Sequence, residues 1–162
     1  MPAFFYQGQK ILDAEPGLGE VWLSGYHFAQ NNELLRKNNI KAIVSAVDLG
    51  ISYDAAVLVH ALDLRDSEDE EVRFTFFPVF RFIEQERKKG NVLVHCAAGI
   101  SRSATLLLAY TMNKYRTTLD DAFSHALRRR PCLQPNKGFL LQLRKFQTDL
   151  GIPDGARHFQ SA

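Results

Sequence analysis

One stretch of this 162-residue chain gathers groups that can do chemistry together: His95-Cys96-Ala97-Ala98-Gly99-Ile100-Ser101-Arg102-Ser103. Five residues separate a thiol from an arginine, and a hydroxyl follows the arginine directly. A thiolate is a potent nucleophile. A guanidinium grips two phosphate oxygens through its planar fork, which an ammonium cannot do. Gly99 suits a turn that needs positive φ or close approach to a ligand. Ser103 is placed to bond the sulfur and help it leave, and His95 to orient the loop through hydrogen bonds. The chemistry these residues support is attack of Cys96 on phosphorus within a phosphate cradle, and hence a phosphatase.

The flanking elements are what would aim these groups. An apolar run, Val92-Leu93-Val94, predicts a strand entering the loop, and Arg102 to Tyr115 predicts a helix leaving it. A strand that turns sharply into a helix leaves several N–H groups without partners, and the helix dipole adds positive potential. The amides of Ala97, Ala98, Gly99, Ile100, Ser101 and Arg102 are therefore expected to converge on phosphate oxygens. The same field favours the thiolate of Cys96.

Further strands are predicted at Lys10 to Ala14, Val21 to Ser24, Ala42 to Ala46 and Ala56 to Leu64. Helices are expected over Phe28 to Lys37, from near Pro78 to Lys88-Lys89-Gly90, over Leu119 to Arg129 with Thr118 as cap, and over Lys137 to Leu150. The acidic stretch Asp63 to Glu71 reads as a loop. Interleaved helices and strands imply an α/β fold, with a central, mostly parallel sheet flanked by helices on both faces. The length suits a single domain over 1–162, with its core at about 10–150 and a loose tail over 151–162.

Composition narrows the function. Apolar residues make up 46% and charged residues 23%, as in globular domains. The net charge of +2 argues for neither nucleic acid nor a membrane surface, and no apolar stretch is long enough for membrane insertion. Cys96 and Cys132 are the two cysteines, so no disulfide framework is indicated, and a reactive thiol favours a reducing compartment, the cytoplasm or nucleus. Cys132 is read as an inert thiol, with a resolving role for oxidised Cys96 as the alternative. His27, His60, His125 and His158 lack metal-ligand spacing and read as structural or surface residues; no metal and no cofactor is expected. Arg128-Arg129-Arg130 reads as a helix C-terminus that favours cations. In the aromatic run, Phe77 and Phe80 are expected to face the core, with one of Phe74, Phe76 and Phe82 exposed near the active loop.

The pattern His-Cys-x-x-Gly-x-x-Arg-Ser resembles the signature of the cysteine-based protein tyrosine phosphatase superfamily, and its Gly-x-Ser-Arg-Ser form resembles the small dual-specificity phosphatases. The resemblance extends through Glu20-Val21-Trp22-Leu23-Ser24-Gly25, Asn39-Ile40-Lys41-Ala42-Ile43-Val44, Ala109-Tyr110-Thr111-Met112, Arg130-Pro131 and Pro135-Asn136-Lys137-Gly138-Phe139 to Leu143. It implies a protein tyrosine phosphatase-like fold and a metal-independent enzyme acting through a phosphocysteine. Asp66 matches the acid that protonates the leaving oxygen, with Asp63 and Asp69 as weaker candidates. The side chain of Asn136 is implied to support the phosphate loop from outside.

Phosphorylated proteins are the expected partners, taken as phosphotyrosine and as phosphoserine or phosphothreonine because the implied pocket is shallow. A phosphoinositide phosphatase would want lysines in the loop, where Ala97, Ala98, Ile100 and Ser101 stand. An RNA 5′-phosphatase would want interleaved basic and aromatic residues. A phosphoprotein-binding pseudophosphatase would lack the nucleophile that Cys96 supplies.

Overall fold

Two apolar runs with alternating faces form the centre of the molecule, β3 (Ile40–Ser45) and β5 (Asn91–His95). The computed structural model describes residues 2–156. With β1 (Gln9–Leu12), β2 (Val21–Ser24) and β4 (Leu58–Ala61) these strands make one sheet in the order β1-β2-β5-β3-β4. β1 is antiparallel to β2 and the remaining pairs are parallel. Among the described residues six α-helices surround it: α1 (Tyr26–Ala29), α2 (Asn32–Lys37), α3 (Phe76–Arg87), α4 (Arg102–Tyr115), α5 (Leu119–Arg129) and α6 (Lys137–Asp149).

Successive strand residues point to opposite faces. Ile43 and Leu93 accordingly pack with Phe28, Ala29 and Leu35 from α1 and α2. Ala42, Val44, Val92 and Val94 pack on the other face with residues of α3 to α6, among them Ile83, Leu107, Ala126 and Phe139. The sheet flanked on both faces is the architecture that the sequence predicts. Helix α4 is buried at every position from Ser103 to Met112, as a helix surrounded by α3, α5 and α6 must be. Ser24 and Ser45 both pair with His95, so β2, β5 and β3 end level. Loops leaving the carboxyl ends of parallel strands meet there, which is where open α/β sheets bind ligands.

Several boundaries differ from expectation. The helix expected over Phe28 to Lys37 is two short helices, because the Asn31 side chain accepts from Leu34 N at 3.1 Å and starts a new helix. The strand expected from Ala56 to Leu64 is confined to Leu58–Ala61, and the first strand runs from Gln9 to Leu12 instead of Lys10 to Ala14. Pro78 falls inside the first turn of α3, where its missing N–H costs no helical bond. Phe76 and Phe80 are the core residues of that segment, while Phe77 is exposed. Phe74 and Phe77 line a groove with Arg73, Phe146, Asp149 and Leu150 that includes no residue of the Cys96 loop. The tail is anchored at its start: Ile152 is buried, and Gln147 Nε2 donates to the Ile152 carbonyl and to Asp154. The rest of it, 157–162, lies outside the described residues, and so does His158.

Candidate active site

Between the end of β5 at His95 and the start of α4 at Arg102, every carbonyl is held. Cys96 O bonds His95 Nδ1 at 3.2 Å, and Ala97 O accepts from Tyr26 N at 3.0 Å. Ala98 O accepts from Arg130 Nη2 at 3.1 Å, and Gly99 O from Arg130 Nε at 2.8 Å. Ile100 O accepts from Gln134 N at 2.8 Å, and Ser101 O from Thr105 N at 2.9 Å. In a planar trans peptide the carbonyl and the following N–H point in opposite directions. Holding these carbonyls therefore turns the amides of Ala97 through Arg102 to the opposite side. Gly99 N donates to Cys96 Sγ at 3.3 Å, and among the described residues the other five loop amides have no protein acceptor. With the N-terminus of α4 behind them, they form an anion cradle around the sulfur. Gly99 is required: its φ is +70°, and a Cβ there would stand 2.5 Å from the Ser24 backbone.

The Cys96 side chain is buried, and its Sγ lies 3.0 Å from Ser103 Oγ. His95 is fully buried. A carbonyl can only accept, so the imidazole donates from Nδ1 to Cys96 O and accepts at Nε2, 2.6 Å from the Tyr53 hydroxyl. Burial lowers the His95 pKa to about 4, against a weaker opposing effect of its bond to Cys96, so the ring is neutral. Burial also raises the Tyr53 pKa, which keeps its phenol protonated as the donor. Tyr53 was not evident in the sequence, where it is one tyrosine in a polar loop.

The loop that carries Asp66 is pinned from two sides. Arg102 Nη1 donates to Leu64 O at 3.0 Å, two residues before Asp66. From α6, Asn136 Nδ2 donates to Asp66 Oδ1 at 3.0 Å, and Gln142 Oε1 accepts from Val72 N at 2.9 Å. Gly138 admits the loop: a Cβ there would stand 1.9 Å from Glu68 O. Asp66 is exposed. Asp63 instead lines a separate cavity of about 350 Å³ with Ser45, Asp48 and Tyr53. Asp69 is bonded to Ser67, which holds its carboxyl below the usual carboxylate range and suits it poorly to donating a proton.

Two sequence readings need correction. Among the described residues the Asn136 side chain makes no hydrogen bond to the Cys96 loop. It caps α6 through Phe139 N at 2.9 Å and holds Asp66, while its backbone N–H supports the loop through Ser101 Oγ at 3.0 Å. Arg130 is not a solvated cation at a helix end. It is buried behind the loop, bound to Ala98 O, Gly99 O, Gln7 O, Phe4 O and the Gln9 side chain. Arg129, at the end of α5, is half-buried and pairs with Asp13 and with Ile11 O. The signals for Arg130 are the Arg130-Pro131 pair within the resemblance and its place before a proline, where α5 must stop and the chain turns inward. Cys132 is a half-buried free thiol that lines a cavity with Arg130, Gln7 and Gln9. His125 is buried, with Nε2 2.7 Å from Ile11 O.

Residues 21–149 match the family model described as dual specificity phosphatase, catalytic domain. The chain is 33% identical over 133 residues to MAP kinase phosphatase with leucine-rich repeats protein 1 of Dictyostelium discoideum, an alignment covering 82% of this chain and 16% of that protein. It is 36% identical over 132 residues to dual specificity protein phosphatase 22-B of Danio rerio, covering 81% of this chain and 72% of the other. The fold matches the crystal structure of the human tyrosine phosphatase-like serine/threonine/tyrosine-interacting protein with a TM-score of 0.78 and 31% identity, over 89% of this chain and 97% of that one. The chain spans 16% to 28% of the length of four Dictyostelium relatives that it matches.

Proposed function

The chain belongs to the dual specificity phosphatase family, and from that premise we propose that it is a metal-independent phosphatase of phosphotyrosine and of phosphoserine or phosphothreonine in proteins, working through a phosphocysteine. The observation that carries the proposal is the outward capture of every loop carbonyl from Cys96 to Ser101, which leaves inward amides around a buried thiol.

In the first step Cys96 Sγ attacks phosphorus, the P–O ester bond breaks, and Asp66 gives its proton to the departing oxygen. The cradle amides and the Arg102 guanidinium hold the equatorial oxygens as charge develops. In the second step Asp66 takes a proton from water, the water oxygen bonds phosphorus, and the P–S bond breaks. The Ser103 hydroxyl, 3.0 Å from the sulfur, bonds the departing thiolate. Nucleophile, acid and charge stabilisation all come from side chains and amides, so the proposed steps call on no metal. A reactive thiol suits a reducing compartment, and cytoplasm or nucleus is the proposed location.

The test is an acid-quenched reaction with a labelled phosphopeptide in EDTA. Label bound to Cys96 and turnover unchanged by EDTA support the proposal. Turnover without labelled protein overturns the covalent step, and phosphopeptide binding without turnover favours a binding module instead. Phosphotyrosine, phosphothreonine and phosphoserine peptides of one sequence then rank the substrates.

A further inference from the structure

The cradle rests on a second arginine that never faces the substrate. Arg130 is 1% exposed and lies behind the loop, on the side opposite the amides. Its Nε and Nη2 take Gly99 O and Ala98 O, and these two carbonyls belong to the peptides whose N–H groups are those of Ile100 and Gly99. The fit is close, since a Cβ on Gly99 would stand 2.7 Å from the guanidinium. The other loop carbonyls are held by backbone amides, by a neighbouring side chain of the loop or by α4 itself. Arg130 is the side chain that reaches them from a distant element, the end of α5.

Its remaining donors go to neutral acceptors on the N-terminal segment: Phe4 O at 3.2 Å, Gln7 O at 3.0 Å and the Gln9 side-chain oxygen. Among the described residues no carboxylate forms an ion pair with it. A buried guanidinium keeps its proton and is costly to leave without a counter-charge. The charges that act on it are those of Cys132 and Cys96, so without a carboxylate partner its own charge lies behind the cradle, where an anion in front of the loop is attracted to it through a low-dielectric interior.

We propose that Arg130 is a positioning residue of the phosphate site: it fixes the Gly99 amide on the Cys96 sulfur and the Ile100 amide toward the phosphoryl oxygens, and supplies a second positive charge behind them. The proposal builds on the phosphatase reading given above, but its test does not depend on turnover. Tying Arg130 to Phe4, Gln7 and Gln9 also makes the chain from Phe4 to the start of β1 part of the site's support.

The experiment measures inorganic phosphate binding by calorimetry, alongside kcat/KM for an aryl phosphate, in the whole chain. Arg130→Met should weaken phosphate binding by about tenfold or more, as loss of charged hydrogen bonds does, with a loss of similar size in kcat/KM. Arg130→Lys should fall between, keeping charge without the fork. In Arg130→Ala, added guanidinium ion should restore part of both, which a merely structural defect would not allow. Arg129→Met, which alters the same helix end away from the loop, should change neither. If Arg130→Met fails to fold, Arg130→Lys and the rescued Arg130→Ala decide the matter. A folded Arg130 variant that binds phosphate as the wild type does overturns the proposal. A wild type that binds phosphate yet turns over no ester overturns the phosphatase reading and leaves the binding ratio to decide the role of Arg130.

Discussion

The Arg102 guanidinium reaches the carbonyl of Leu64 at 3.0 Å and so joins the phosphate loop to the loop that carries Asp66. In the proposed mechanism one side chain thus has two duties, gripping phosphate and registering the acid against it. Arg102→Lys keeps the charge but loses the fork, so it should lower kcat/KM by roughly 10²–10³-fold, as loss of a preorganised donor does. Steady-state kinetics on a phosphopeptide checks this, and a lysine variant near wild-type activity would remove Arg102 from the mechanism.

Cys96→Ser should reduce turnover to background while phosphate still binds, because the loop carbonyls stay held from outside and the amides stay aimed. Calorimetric titration with phosphate, run beside the activity assay, separates the two properties. Substantial remaining turnover would place the nucleophile elsewhere.

Ser103→Ala should act on the second step. The hydroxyl 3.0 Å from the sulfur has its largest effect when the sulfur leaves as a thiolate, and a hydrogen bond to a charged group is worth about 1.5–3 kcal/mol. Breakdown of the phosphocysteine should slow by roughly 10–100-fold. Rapid mixing should show a burst of released alcohol followed by a slow steady state. Slowing of the burst itself would assign Ser103 to the first step.

The contrast between Gly99 and Arg130 explains what the sequence could reveal. Nine consecutive residues carry the cradle, so residue types alone expose it, and the φ of +70° at Gly99 is what its glycine implies. Arg130 acts on main-chain carbonyls, which no residue type encodes, and it reaches them from another helix. Asn136 is visible as a helix cap before α6, yet its bond to Asp66 spans two loops that only the fold brings together. Of the Phe77–Phe80 reading, Phe80 holds and Phe77 fails for a different reason: spacing of three and spacing of four both fit one helix face, and Phe76–Phe80 is the pair that the packing selects. The central strands were legible because burial on both faces leaves unbroken apolar runs.

His95 should make stability depend on mildly acidic pH. Its pKa falls from 6.5 in a free side chain to about 4 in the fold, because burial disfavours the charged ring. Between those values the unfolded chain binds more protons, so stability is full above about pH 6.5 and drains away as pH falls toward 4. The loss attributable to the ring is of order 3 kcal/mol. His95→Asn should be less stable than the wild type near neutral pH and show a flatter decline on acidification. Urea unfolding of both proteins over that range isolates the imidazole, since the carboxylates are common to both. Parallel curves would mean that the ring is charged in the fold.

Asp66 tests the mechanism most directly, because the need for an acid scales with how poorly the leaving group leaves. General acid catalysis contributes about 10²–10⁴-fold. Asp66→Asn should therefore slow a phosphoserine peptide by about that factor and a strongly activated aryl phosphate far less. The same change at Asp63 or Asp69 should not reproduce the pattern, since the first faces a separate cavity and the second is bonded to Ser67. Asn136 gives an independent handle. Asn136→Ser keeps an oxygen able to cap α6 but removes the amide that holds Asp66 Oδ1 at 3.0 Å. It should show the same dependence on leaving group in weaker form, with thermal stability nearly retained. If Asp66→Asn instead slows every ester equally, its carboxylate shapes the loop and the proton comes from another group. If Asn136→Ser slows every ester equally while Asp66→Asn keeps its selectivity, Asn136 matters through Ser101 and the cradle rather than through the acid.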